Sequence, residues 1–114
     1  MENPTTRRRS QRLFLQVRVI LEGKRANQSP FSEETQTIVV NTHGALVQLS
    51  FPLDQGQTVT LQNIRTGEKI ECAVKLVTLK EAKKFHTAIE FMKPNADFWR
   101  ISFPPDDWSP KNLS

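Results

Sequence analysis

A chain of 114 residues has room for one domain with a single modest core and not for two. Its net charge of +4 is mild and the excess gathers in the first 25 residues, which favours anionic partners locally. The dense basic stripe of a general nucleic-acid binder is missing. One cysteine excludes an internal disulfide framework, and no apolar run follows the N-terminal charges or reaches membrane-spanning length, which predicts a reducing, cytoplasmic setting.

Met1 to Thr6 is polar, contains a proline and has no periodicity, so it is expected to be disordered when free. Arg7-Arg8-Arg9-Ser10-Gln11-Arg12 then packs four arginines into six residues. Residues 1–12 thus read as a flexible basic segment hung on the first strand of a folded body. A guanidinium offers planar paired donors, a permanent charge and a stacking face, which suits phosphates and the acceptor edge of guanine. An anionic, guanine-containing ligand is therefore expected here.

The first strand follows at once, with Leu13, Leu15, Val17, Val19 and Leu21 on one face. Gly23 to Pro30 reads as a loop, and a strand rich in Thr, Ile and Val spans Ser32 to Val40. Asn41-Thr42-His43-Gly44 punctuates it before Ala45 to Leu49 resumes an extended run. Pro52 to Gly56 forms another turn, and Gln57 to Asn63 the next strand. Arg65-Thr66-Gly67-Glu68 is a hairpin turn with Gly67 at a positive-φ position. It leads into the cleanest alternation of the chain, with Ile70, Cys72, Val74 and Leu76 inward. Phe85 to Met92 is the last strand, and Asn95 can cap one short helix through Trp99. Short strands joined by turns predict an all-β fold: a single six- to seven-stranded antiparallel β-barrel over residues 13–103. The remainder, 104–114, reads as an irregular Pro-rich tail.

This arrangement resembles the PilZ family, in which an RxxxR segment precedes a short antiparallel barrel and a D/N-x-S-x-x-G turn joins two following strands. Arg8-Arg9-Ser10-Gln11-Arg12 matches the first motif, including the frequent doubled arginine, and the resemblance covers roughly Arg7 to Met92. It implies binding of cyclic di-GMP, often as an intercalated dimer, by Arg8, Arg9 and Arg12, with the barrel wall under the ligand. The second motif departs from the pattern. With its glycine on Gly44, Val39 falls at the acidic or amide position, Asn41 at the serine position and His43 just before the glycine. Alternatively, a slip of two residues puts Asn41 at the D/N position and His43 at the serine position, with a shifted glycine. The ligand-binding candidates are accordingly Arg8, Arg9, Arg12, Asn41, His43 and Gly44.

Other chemistry finds less support. His43, His86 and Cys72 are too few and too scattered for a metal site, and Cys72 falls on the apolar face of its strand. The carboxylate pairs Glu33-Glu34 and Asp106-Asp107 are consecutive and face apart, and there is no Gly-rich phosphate loop. No catalytic activity and no cofactor are expected. Phe98, Trp99 and Phe103 are placed to cap an open barrel end, whereas Trp108, among prolines and acids, suits docking to a partner protein. The leading expectation is a receptor or adaptor for cyclic di-GMP in bacterial signalling. A binding-deficient scaffold that works through protein contacts is the alternative. A small barrel binding RNA or single-stranded DNA ranks third, because the chain has no tyrosine and its aromatics gather late in the sequence.

Overall fold

The computed structural model describes residues 12–25, 27–95 and 97–100. Seven strands follow in order: β1 (Leu13–Phe14), β2 (Arg18–Lys24), β3 (Pro30–Asn41), β4 (Gly44–Leu49), β5 (Thr58–Asn63), β6 (Lys69–Glu81) and β7 (Lys84–Phe91). Every pairing is antiparallel, and β3-β2-β5-β6-β7-β4 closes on itself through β3 and β4. The result is a six-stranded barrel in which no barrel strand is left as an open edge. The additional strand, β1, continues the line of β2 along β3, pairing Leu13 with Val40 and Phe14 with Val39.

The period-2 pattern of the first strand holds. Val19 and Leu21 are fully buried, and Leu13, Leu15 and Val17 pack half-buried against the same core. Between β1 and β2 the ladder is interrupted, and the buried Thr37 bridges the gap. Its hydroxyl donates to Leu15 O at 2.6 Å and accepts from Val17 N at 2.9 Å, so a polar side chain in the core has its bonds made.

Two bulges redirect side chains where alternation alone points them elsewhere. In β3 the register slips at Ile38, between the Thr37↔Val47 and Val39↔Leu46 pairs. Val40 consequently turns into the core, and Val39 and Asn41 turn to the outer face. In β6 the slip falls at Lys75, between Val74↔Ile89 and Leu76↔Ala88. The expectation that Leu76 points inward is therefore corrected: it is 58% exposed, and Val77 packs against the core in its place. The expected loop from Gly23 to Pro30 is also shorter. Gly23 pairs with Phe31 and Lys24 with Pro30 inside a hairpin, because the small residue serves packing and not a turn. A Cβ on Gly23 would stand 3.0 Å from Val59 Cγ1 and 3.2 Å from the Phe31 ring. Gly67 does occupy the hairpin turn with positive φ.

One barrel end is closed by Phe98 and Trp99, both fully buried. Their rings meet edge to face at 5.0 Å, and Phe98 packs on Phe91 at 5.3 Å. The short helix expected from Asn95 is instead a pair of turns, and there is no helix among the described residues. Asn95 does cap, accepting from Asp97 N through Oδ1 and from Phe98 N through its carbonyl. Arg100 then adopts a left-handed φ of 59°, which ends any helical continuation. Underneath, the buried Asn63 amide donates to Phe98 O at 3.2 Å and accepts from Arg65 N at 3.0 Å. Phe103 and Trp108 lie outside the described residues.

Candidate ligand-binding surface

Antiparallel partners share a face of the sheet, so the register reads out the barrel's outer wall directly. One row runs Asn41↔Gly44↔Glu90↔Ala73, and Arg12, one residue before the Leu13↔Val40 pair, stands level with Asn41. The neighbouring row is apolar: Phe14↔Val39↔Leu46↔Ala88↔Leu76. A shallow cavity of about 240 Å³ opens between them. Arg12, Asn41, His43 and Gly44 line it together with Val39, Leu46, Ala88 and Glu90. Four of the six residues picked out in the sequence are thus gathered around one hollow. Arg8 and Arg9 lie outside the described residues.

The turn from Asn41 to Gly44 is fixed by three hydrogen bonds. Asn41 Oδ1 accepts from His43 N at 2.7 Å, closing the turn on itself. His43 O accepts from Phe91 N at 2.7 Å, tying the turn to the end of β7. Asn41 O accepts from the Trp99 indole Nε1 at 3.0 Å, so the aromatic plug of the barrel reaches the site itself. Because Oδ1 is engaged by the turn, Asn41 presents its amide donors to the cavity more readily than its acceptor. His43 is exposed at the rim.

Gly44 begins β4 at a close approach of two strands. A Cβ there would run into the carbonyl oxygen of Ile89 and stand 3.0 Å from Glu90 Cα. Its φ is not in the left-handed region, so proximity and not backbone freedom demands glycine. Glu90, opposite it, was not among the sequence candidates. It looks like one more polar residue on the outer face of a strand, and only the pairing of β7 with β4 brings it to the turn. Lys75, the bulge residue of β6, holds Glu90 Oε1 through Nζ at 3.2 Å.

Cys72 and His86 are not brought to this cavity. Cys72 is fully buried on the core face, and burial pushes its thiol from 9.0 up to about 12. A thiol reagent is therefore expected to label the folded protein negligibly and the denatured protein fully; rapid labelling of folded protein would contradict the burial. The folded state holds the thiol proton more tightly, so the Cys72 contribution to stability is full below about pH 9 and is lost as pH rises toward 12. His86 sits opposite Gln48 and Thr78 on the outer wall. No cluster of three or more metal-ligating side chains occurs among the described residues.

No family model matches the sequence, and no curated protein is significantly similar to it. Two solved structures share its fold. Against Klebsiella pneumoniae MrkH in complex with c-di-GMP the TM-score is 0.56 at 17% identity, covering 83% of this chain and 48% of that one. Against MrkH in its apo state the TM-score is 0.51 at 15% identity, covering 88% and 47%. The chain therefore spans about half the length of MrkH, and at this identity the likeness concerns fold. The fold is a PilZ-like antiparallel barrel of six strands with one additional strand.

Proposed function

We propose that this barrel is a non-catalytic receptor or adaptor for cyclic di-GMP in bacterial second-messenger signalling, working in the cytoplasm and passing its state to a partner protein. The observation that carries this reading is the convergence of Arg12, Asn41, His43 and Gly44 on one outer-wall cavity, at the point where the arginine-rich segment joins the barrel. The MrkH complex with c-di-GMP supports the choice of ligand. The chemistry agrees. Arginine forks meet phosphate and guanine acceptors, amide donors line the turn, and the apolar row beside the cavity offers a flat floor for a base. Arg8 precedes Arg12 by four residues, so an extended chain gives it a reach of about 14 Å, enough to close over a ligand seated at the turn.

The test is calorimetric titration with cyclic di-GMP, with GTP and a short RNA as controls. Saturable binding of cyclic di-GMP alone supports the reading, and its absence rejects it. The double variant Arg8→Ala, Arg12→Ala is expected to lose about tenfold or more in affinity, since each hydrogen bond to a charged group contributes about 1.5–3 kcal/mol. Its stability should stay within about 0.5 kcal/mol, as for other surface changes. Unchanged affinity in a folded double variant would remove the arginines from the site.

A second reading is favoured by one observation. Phe14 is 86% exposed and Leu76 58% exposed at the two ends of an apolar row that crosses five strands. Val39, where the family motif has a polar residue, lies second in that row, beside Phe14. A scaffold that binds a protein through this stripe, without a nucleotide, would show no heat with cyclic di-GMP.

A further inference from the structure

Resting on the receptor reading, we propose that Glu90 is the group that recognises guanine in this protein, taking over the acceptor role that Val39 cannot perform. The Watson–Crick edge of guanine presents two adjacent donors, N1–H and the N2 amino group, and its recognition needs acceptors in the wall. Val39, Leu46 and Ala88 have no polar side-chain atoms. Arg12 is a donor only, the Oδ1 of Asn41 already spends one of its two lone pairs on His43 N, and the His43 imidazole offers a single acceptor nitrogen, which cannot match two adjacent donors. Among the described residues Glu90 is the one carboxylate lining the cavity, and two oxygens side by side match two adjacent donors.

Its placement follows from the fold. Glu90 pairs with Gly44, and a Cβ on Gly44 would stand 3.0 Å from Glu90 Cα, so the bare glycine lets the strand that carries the carboxylate lie close against the turn. Lys75 anchors Oε1 at 3.2 Å from the flank of β6, and the bulge at that lysine is what sets it there. Oε2 has no partner among the described residues. A carboxylate repels phosphate, so the cavity divides the ligand: a base against Glu90 and a phosphate toward Arg12. Adenine presents one donor and one acceptor on the same edge, which a carboxylate cannot match and a glutamine can.

The experiment titrates wild type and Glu90→Gln with cyclic di-GMP, cyclic di-AMP and cyclic di-IMP, whose bases lack the N2 amino group. Wild type is expected to bind cyclic di-GMP best and to lose roughly 10- to 100-fold on either replacement ligand, the discrimination a bidentate contact provides. Glu90→Gln, with an unchanged thermal midpoint, should lose a similar factor toward cyclic di-GMP and gain or hold affinity for cyclic di-AMP. If wild type binds cyclic di-GMP and cyclic di-IMP equally, no amino-group acceptor operates and the proposal falls, whether or not the variant folds. If Glu90→Gln keeps full affinity, or weakens all three ligands by the same factor, Glu90 has no recognition role although the receptor reading stands. If wild type binds none of them, both readings fall together.

Discussion

Trp99→Ala should cost about 3–5 kcal/mol of folding stability, the range for truncating a buried aromatic ring. The ring is fully buried, meets Phe98 edge to face and lies tilted against Phe91 at the closed end of the barrel. Removing it opens a cavity that the rigid strands around it cannot collapse, and it also strips Asn41 O of its indole donor. The loss thus falls on the fold and on the ligand turn together. Trp99→Phe shifts the balance between the two: it keeps most of the aromatic volume and removes the N–H together with the part of the indole that carries it. We expect it to cost about 1–2 kcal/mol, shared between the lost indole donor to Asn41 O and the lost ring atoms, and to weaken ligand binding more than the stability change implies. Chemical denaturation of both variants decides this. A cost below about 1 kcal/mol for Trp99→Ala would mean that the aromatic plug is not part of the cooperative unit.

The sequence carried the strands because their signal is local. Leu13 to Leu21 and Ile70 to Val74 alternate cleanly enough to name the core face, and Gly67 marks its turn. The burial of Phe98 and Trp99 was legible for a different reason: two large rings directly after the last strand have no alternative to the open barrel end. The bulges were not legible. Nothing in Thr37-Ile38-Val39-Val40 or Val74-Lys75-Leu76-Val77 marks where an additional residue enters, since each run is apolar enough to face either way, and a single slip exchanges the faces of everything beyond it. The site was half legible on the same grounds. Arg12 and the Asn41–Gly44 turn are contiguous features of the chain. Glu90 joins them only through strand pairing across 46 positions of sequence, counted from Gly44 to Glu90 in the register of β4 and β7. The short helix at Asn95 failed because the capping signal is common to helices and isolated turns, and tertiary burial of Phe98 and Trp99 chose the turn.

Gly44→Val is the substitution expected to damage fold and site at once through the backbone. Its Cβ would occupy the space of the Ile89 carbonyl oxygen, an atom of the β7 backbone that no side-chain rotation can move aside. Either β4 and β7 separate at their junction or the Asn41–Gly44 turn tilts away from the wall. Separation weakens the Gly44↔Glu90 and Ala45↔Ile89 pairs that help close the barrel. Tilting breaks the His43 O to Phe91 N bond that fixes the turn. Overpacking of this kind costs about 1–3 kcal/mol for small additions. Gly44→Ala should fall in that range, and Gly44→Val, with two more carbons on a branched Cβ, should exceed it. In either variant Glu90 is pushed from its place opposite the turn, so affinity for cyclic di-GMP should fall further than stability. Thermal denaturation alongside calorimetric titration measures the two effects separately. A Gly44→Val protein with native stability and full affinity would mean that the strands part there without cost, and that neither the close approach nor the turn it supports governs the site.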